Sequence, residues 1–154
     1  MVPFKKILVP TDYSKHSAEA VRCAADLARR YEASITLVYV FEPVTYALPE
    51  GHVMQSPPQL QEMQSAFEQR LTQVAADARA AGAPLVDAKV LTGPVAAELT
   101  DFAQQGQFDL IVMGTHGRTG LRHLVLGSVA EKVVRTAPCA VLTVRSREQD
   151  NERK

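Results

Sequence analysis

The residues best suited to chemistry are the run Gly114-Thr115-His116-Gly117-Arg118-Thr119-Gly120 and, beyond it, Leu126-Gly127-Ser128-Val129. Glycines packed this closely after a strand free the backbone to approach a ligand and to adopt φ > 0. Gly127-Ser128 opens a helix, and the first amide N–H groups of a helix have no intrahelical acceptor. Those donors and the helix dipole favour an anion. A phosphate chain could run from the Gly114 turn to the Gly127-Ser128 helix end, with Arg118 supplying positive charge. A purely structural reading stands beside this one. Ser128-Val129-Ala130-Glu131 has the pattern of a capping box, in which Ser128 and Glu131 satisfy the helix end themselves. The glycines would then serve only a tight turn. The lysine-bearing phosphate loop and the Gly-x-Gly-x-x-Gly dinucleotide fingerprint are both missing. The Gly-x-x-Gly pairs Gly114/Gly117 and Gly117/Gly120 also match an RNA clamp, which the charge balance and the element order below disfavour.

These residues must be held by strands and helices. Ile7-Leu8-Val9 reads as a buried strand that delivers Pro10, Thr11 and Asp12 into a loop, and Ser14 suits a helix N-cap. The helix carries Val21, Ala24, Ala25 and Ala28 on one side and ends near Tyr31. Ile35 to Val40 is a second, β-branched strand. Pro43 to Pro58 reads as a loop, either a surface excursion or a lid. Leu60, Met63, Phe67, Leu71, Val74 and Ala78 mark an amphipathic helix that Gly82 stops. Leu85 to Leu91 alternates, with Asp87 and Lys89 against Val86, Ala88 and Val90, which predicts an edge strand. Gly93-Pro94 opens a helix with Val95, Leu99 and Phe102 on one side. Asp109 to Met113 is the fourth strand, Ser128 to Arg135 the last helix and Cys139 to Val144 the fifth strand.

Strands alternating with helices predict an α/β fold: an open, mostly parallel, five-stranded Rossmann-like sheet with helices on both faces. Ligands of such sheets sit at the carboxyl ends of strands where strand order reverses. The most apolar strands, the first and fourth, end in Pro10-Thr11-Asp12 and Gly114-Thr115-His116-Gly117. Asp12 reads either as a ribose contact or as a turn acid. His116 and His123 read as loop residues rather than metal ligands. Arg118 and Arg122 read equally as phosphate contacts and as solvated charges. Cys23 reads as a small core residue.

The chain has 154 residues, 17 Lys+Arg against 17 Asp+Glu, and two cysteines. The length fits one domain, taken as residues 1–146, followed by a polar tail over 147–154 that is expected to fray. The balanced charge disfavours a nucleic-acid partner. No apolar run reaches the roughly 18 residues of a membrane span. Two distant cysteines without metal spacing fit a reducing compartment, so the expectation is a cytoplasmic protein.

The spacing Gly114-x2-Gly117-x9-Gly127-Ser128 resembles the nucleotide-binding motif of the universal stress protein family in its ATP-binding branch. The opening Ile7-Leu8-Val9-Pro10-Thr11-Asp12-Tyr13-Ser14, the stretch Leu126 to Glu131 and the close Pro138 to Val144 are similar to that family too. The resemblance implies strand order 3-2-1-4-5 and a homodimer through the fifth strand, Ala140 to Val144. It implies ATP in the crevice between the first and fourth strands, with room for Mg on the phosphates. Asp12 would meet the ribose or adenine side, and Val40 would offer backbone atoms to adenine. Gly114, Gly117, Gly127 and Ser128 would hold phosphates, and Val129 would donate an N–H. Pro10, Thr11, Met113, His116 and Arg118 complete the candidate contacts. The function implied is a nucleotide-dependent stress-response module with an unidentified protein partner. The alternatives are a nucleotide-free dimeric interaction module and a slow ATPase.

Overall fold

A computed structural model describes residues 4–43, 46–48, 51–53, 56–116 and 126–146. The elements run β1 (Lys6–Pro10), α1 (Lys15–Tyr31), β2 (Ser34–Phe41), β3 (Tyr46–Leu48), β4 (Gly51–Val53), α2 (Pro57–Ala80), β5 (Leu85–Thr92), α3 (Val95–Gln105), β6 (Leu110–Gly114), α4 (Ser128–Thr136) and β7 (Ala140–Val144). Five strands form one sheet in the order β5-β2-β1-β6-β7, and every pairing is parallel. Counting only those five, this is the expected order 3-2-1-4-5. β5 lies at one edge, as its polar face predicts. Ala88, placed by alternation with the buried Val86, is exposed, whereas Val90 two residues on is half-buried against the core.

The period of two along the central strands divides the core. Ile7, Val9, Ile35, Leu37 and Val112 face α1 and α2, where Ala20, Ala24, Ala28, Leu71 and Ala78 cover them. Leu8, Val38, Ile111 and Met113 face the other way, onto Leu99 and Ala103 of α3 and Ala130 and Val133 of α4. The alanine stripe of α1 lets that helix lie close to the sheet. Strands with both faces covered must be apolar throughout, which is why β1 and β6 read as unbroken hydrophobic runs.

One segment differs from the sequence reading. The stretch read as a loop from Pro43 to Pro58 contains the antiparallel pair β3 and β4. Its last two residues open α2, with proline at the first helical position, where a missing N–H costs nothing. Gln59 Oε1 accepts the Ser56 N–H at 2.9 Å, closing that end. At the other end Gly82 takes φ +100°, a conformation that suits glycine as a helix stop. The expected tail, 147–154, lies outside the described residues.

Candidate functional site

Strand order reverses between β1 and β6, and a cleft of about 320 Å³ opens at their carboxyl ends. On the β1 side, the Thr11 N–H continues the sheet by donating to Val38 O at 2.9 Å. The Thr11 hydroxyl is buried and fully engaged. It accepts the Tyr13 N–H at 3.1 Å and lies 3.0 Å from Ser17 Oγ, whose own proton goes to Ser14 O at 2.9 Å. Thr11 therefore shapes the cleft wall. Asp12 does act as a turn acid: its Oδ1 accepts the Ser14 N–H at 2.9 Å. Its side chain still lines the cleft, and Oδ2 meets no partner among the described residues. The turn and ligand readings of Asp12 are thus compatible, one oxygen for each.

On the β6 side, Thr115 is the organiser. It is buried, its N–H donates to Val144 O at 3.0 Å, and its carbonyl accepts the Gly127 N–H at 2.7 Å. This last bond pins the start of α4 against the end of β6. The capping-box reading of Ser128 and Glu131 is corrected here. Gly127, not Ser128, is the N-cap, and no side chain caps the helix. Glu131 instead bonds Arg135 at 2.7 Å along the exposed face. Among the described residues, the N–H groups of Ser128, Val129 and Ala130 meet no acceptor, since the first helical bond is Glu131 N–H to Gly127 O. Three donors at a positive dipole end therefore face the cleft rim, which suits an anion. The Gly127 N–H is not among them, because Thr115 holds it.

Gly114 has a packing reason as well as a ligand reason. A Cβ there would come within 3.1 Å of the backbone and Cβ of His16 on α1. The ring of His116 lies at the cleft, with Nδ1 3.0 Å from Thr115 Oγ1.

Pro10, Thr11, Asp12 and Val40 line this one cleft together with Met113, Gly114, His116, Gly127, Ser128 and Val129. Gly117 and Arg118 lie outside the described residues, as do Gly120, Arg122 and His123. Sequence reasoning missed Ser17, Tyr39, Val95, Leu99 and Ala130 as cleft residues, and it named Thr115 only as part of the glycine run. Val95 and Leu99 carried a signal, their shared face on α3, but it read only as core. Among the described residues no three His, Cys, Asp or Glu side chains are grouped to hold a metal ion.

The sequence profile of the universal stress protein family matches residues 3–145. The chain belongs to that family. A universal stress protein of Methanocaldococcus jannaschii is 36% identical over 143 residues, covering 92% of this chain and 82% of the relative. The structure of UspA from Lactobacillus plantarum superposes with a TM-score of 0.74 at 28% identity, covering 94% of this chain and 100% of that one. A universal stress protein in complex with cAMP superposes with a TM-score of 0.70 at 25% identity, over 94% and 98% of the two chains. No helix among the described residues is long and apolar enough to cross a membrane.

In this family member an aromatic pile ties the cleft to α2. Tyr39, a cleft residue, stacks on Tyr13 with centroids 4.9 Å apart and lies 4.5 Å from Phe67 of α2. The Tyr13 hydroxyl donates to Phe67 O at 3.1 Å. Burial, with Tyr39 adding to it, pushes the Tyr13 phenol up to about 12, against the pull of the Arg70 guanidinium. A phenol raised from its ordinary value of 10.0 keeps its proton in the fold after the unfolded chain has lost it. Its contribution to stability is complete below pH 10 and disappears as pH rises towards 12. A near-ultraviolet phenolate titration should therefore show one late tyrosine, absent in Tyr13→Phe. Stability should fall over the same window in the parent and less in the variant. Burial also pushes both thiols up, aided by Asp26 at Cys23 and Asp109 at Cys139. Both are half-buried packing residues with little thiolate.

Proposed function

We propose that this universal stress protein binds an adenine nucleotide, ATP, in the β1/β6 cleft and acts as a nucleotide-dependent stress-response module. One observation carries the reading: the uncapped α4 N-terminus, with three unengaged N–H groups, opens onto the same cleft as the Asp12 carboxylate. That pairs anion donors at one end with a hydroxyl acceptor at the other, as phosphates and ribose require. Tyr39, Val40, Val95 and Leu99 give an apolar wall suited to a base. The cAMP complex of a family relative supports the nucleotide class.

In this reading Asp12 meets the ribose, Val40 offers backbone atoms to adenine, and Ser128 and Val129 donate to phosphate. Gly114, Gly117 and Gly127 give the phosphates room, and Arg118 adds charge. Mg would ride on the phosphates, which would supply its ligands. Pairing of β7 with a second copy gives a homodimer. β7 is an edge strand with Ala140 and Leu142 exposed, the arrangement from which a sheet can be extended. Its two free thiols fit a cytoplasmic setting.

The test is mass spectrometry of denatured, freshly purified protein, followed by calorimetry with Mg-ATP on the nucleotide-free form. Adenine nucleotide in the first, or saturable heat in the second, is the expected result. An empty protein that gives no heat would refute the reading. Steady phosphate release in the same incubation would add slow turnover to it.

A further inference from the structure

A second hollow, of about 310 Å³, lies between α1 and α2. Thr11 and Ser17 line both it and the cleft, so their hydroxyl pair forms a shared wall. The floor is apolar: Val21 and Ala78 are buried and Val74 is half-buried. The rim is charged but not uniformly neutralised. Arg22 is paired with Glu19 at 2.5 Å, and Asp77 accepts Gln73 Nε2 at 3.1 Å. Arg70 has no carboxylate partner among the described residues. Its guanidinium instead rests over the Tyr13 ring, 4.2 Å from the centroid. The ring fixes the cation in place without cancelling its charge. Arg70 and Asp77 are seven residues apart on α2, so they stand about 10 Å apart along the helix. One end of the hollow therefore attracts an anion and the other repels it.

We propose that this hollow is a second small-molecule site, taking an organic monoanion with an apolar body. The acid group meets Arg70, and the body lies on Val21, Val74 and Ala78. The size suits a small ligand, near the lower bound for such pockets. Asp77 disfavours a second negative charge at the far end.

The probe is anilinonaphthalenesulfonate, with phenylnaphthylamine as its counterpart lacking the sulfonate, each followed by fluorescence on the folded full chain. The sulfonate should bind saturably at one equivalent. Arg70→Gln should weaken it roughly tenfold, the size of one charge-assisted hydrogen bond, and leave the neutral probe unchanged. Ala18→Trp, an exposed change that fills the hollow, should remove both signals. Val95→Phe, which fills the cleft instead, should alter neither. Circular dichroism confirms that each variant is folded. Unchanged sulfonate affinity in Arg70→Gln would overturn the proposal, as would absence of saturable binding. Loss of the signal in Val95→Phe would place the probe in the cleft and also end it.

Discussion

Ser128→Pro should weaken ATP binding by about 10- to 100-fold while leaving the fold intact. Proline at this position removes one N–H together with the side-chain hydroxyl, and Ser128→Ala, which removes the hydroxyl alone, is the control. Ser128 is the first residue of α4, the helical position that proline favours. The residue before a proline must be extended, and Gly127 already sits at φ −69°, ψ 160°. The lost N–H meets no acceptor in the described structure, so folding forfeits no hydrogen bond. Restricting the unfolded chain could even add about 0.4–1 kcal/mol of stability. If the N–H binds phosphate, affinity falls by the worth of one charge-assisted hydrogen bond. Calorimetric titration with Mg-ATP measures this, and a thermal melt checks the fold. Undiminished affinity in a folded Ser128→Pro protein would mean that the phosphates are not held by the α4 N-terminus.

The same residue shows what was legible in the sequence and what was not. Gly127-Ser128 was recognisable as a helix start from its types alone, and the cleft at the ends of β1 and β6 followed from element order. Which residue caps the helix did not follow. Ser-x-x-Glu fits a capping box, but Thr115 draws the Gly127 N–H onto its carbonyl and fixes Gly127 as the cap. That bond spans twelve residues, and local pattern does not encode it. At Ser56-Pro57-Pro58-Gln59 the error ran the other way. The Ser-x-x-Gln signal was present, and proline density hid it. β3 and β4 escaped because three residues are too few to display a period of two. Val95 and Leu99 escaped as cleft residues for a different reason. An apolar face reads the same whether it meets a sheet or a ligand.

That double duty makes Leu99 the position where stability and binding can be separated. Leu99→Ala and Leu71→Ala should each cost about 2–5 kcal/mol of stability. Both side chains are fully enclosed, Leu99 at 0% exposure and Leu71 at 1%. Leu99 packs with Leu8, Val38 and Ile111 under α3, whereas Leu71 packs with Ile35 and Leu37 under α2. For a chain of this size each kcal/mol lowers the melting temperature by roughly 2–4 °C. The melts alone would make the two variants look alike. Binding should distinguish them, because Leu99 lines the cleft and Leu71 does not. Leu99 backs the cleft from beneath Val95 and has no exposed surface of its own, so the void left by its truncation should loosen that wall and weaken ATP about tenfold. Leu71→Ala should bind as the parent does, so saturating ATP should return more melting temperature to it than to Leu99→Ala. Equal recovery in the two variants would show that the α3 face takes no part in holding the base, and would move the adenine to another wall of the cleft.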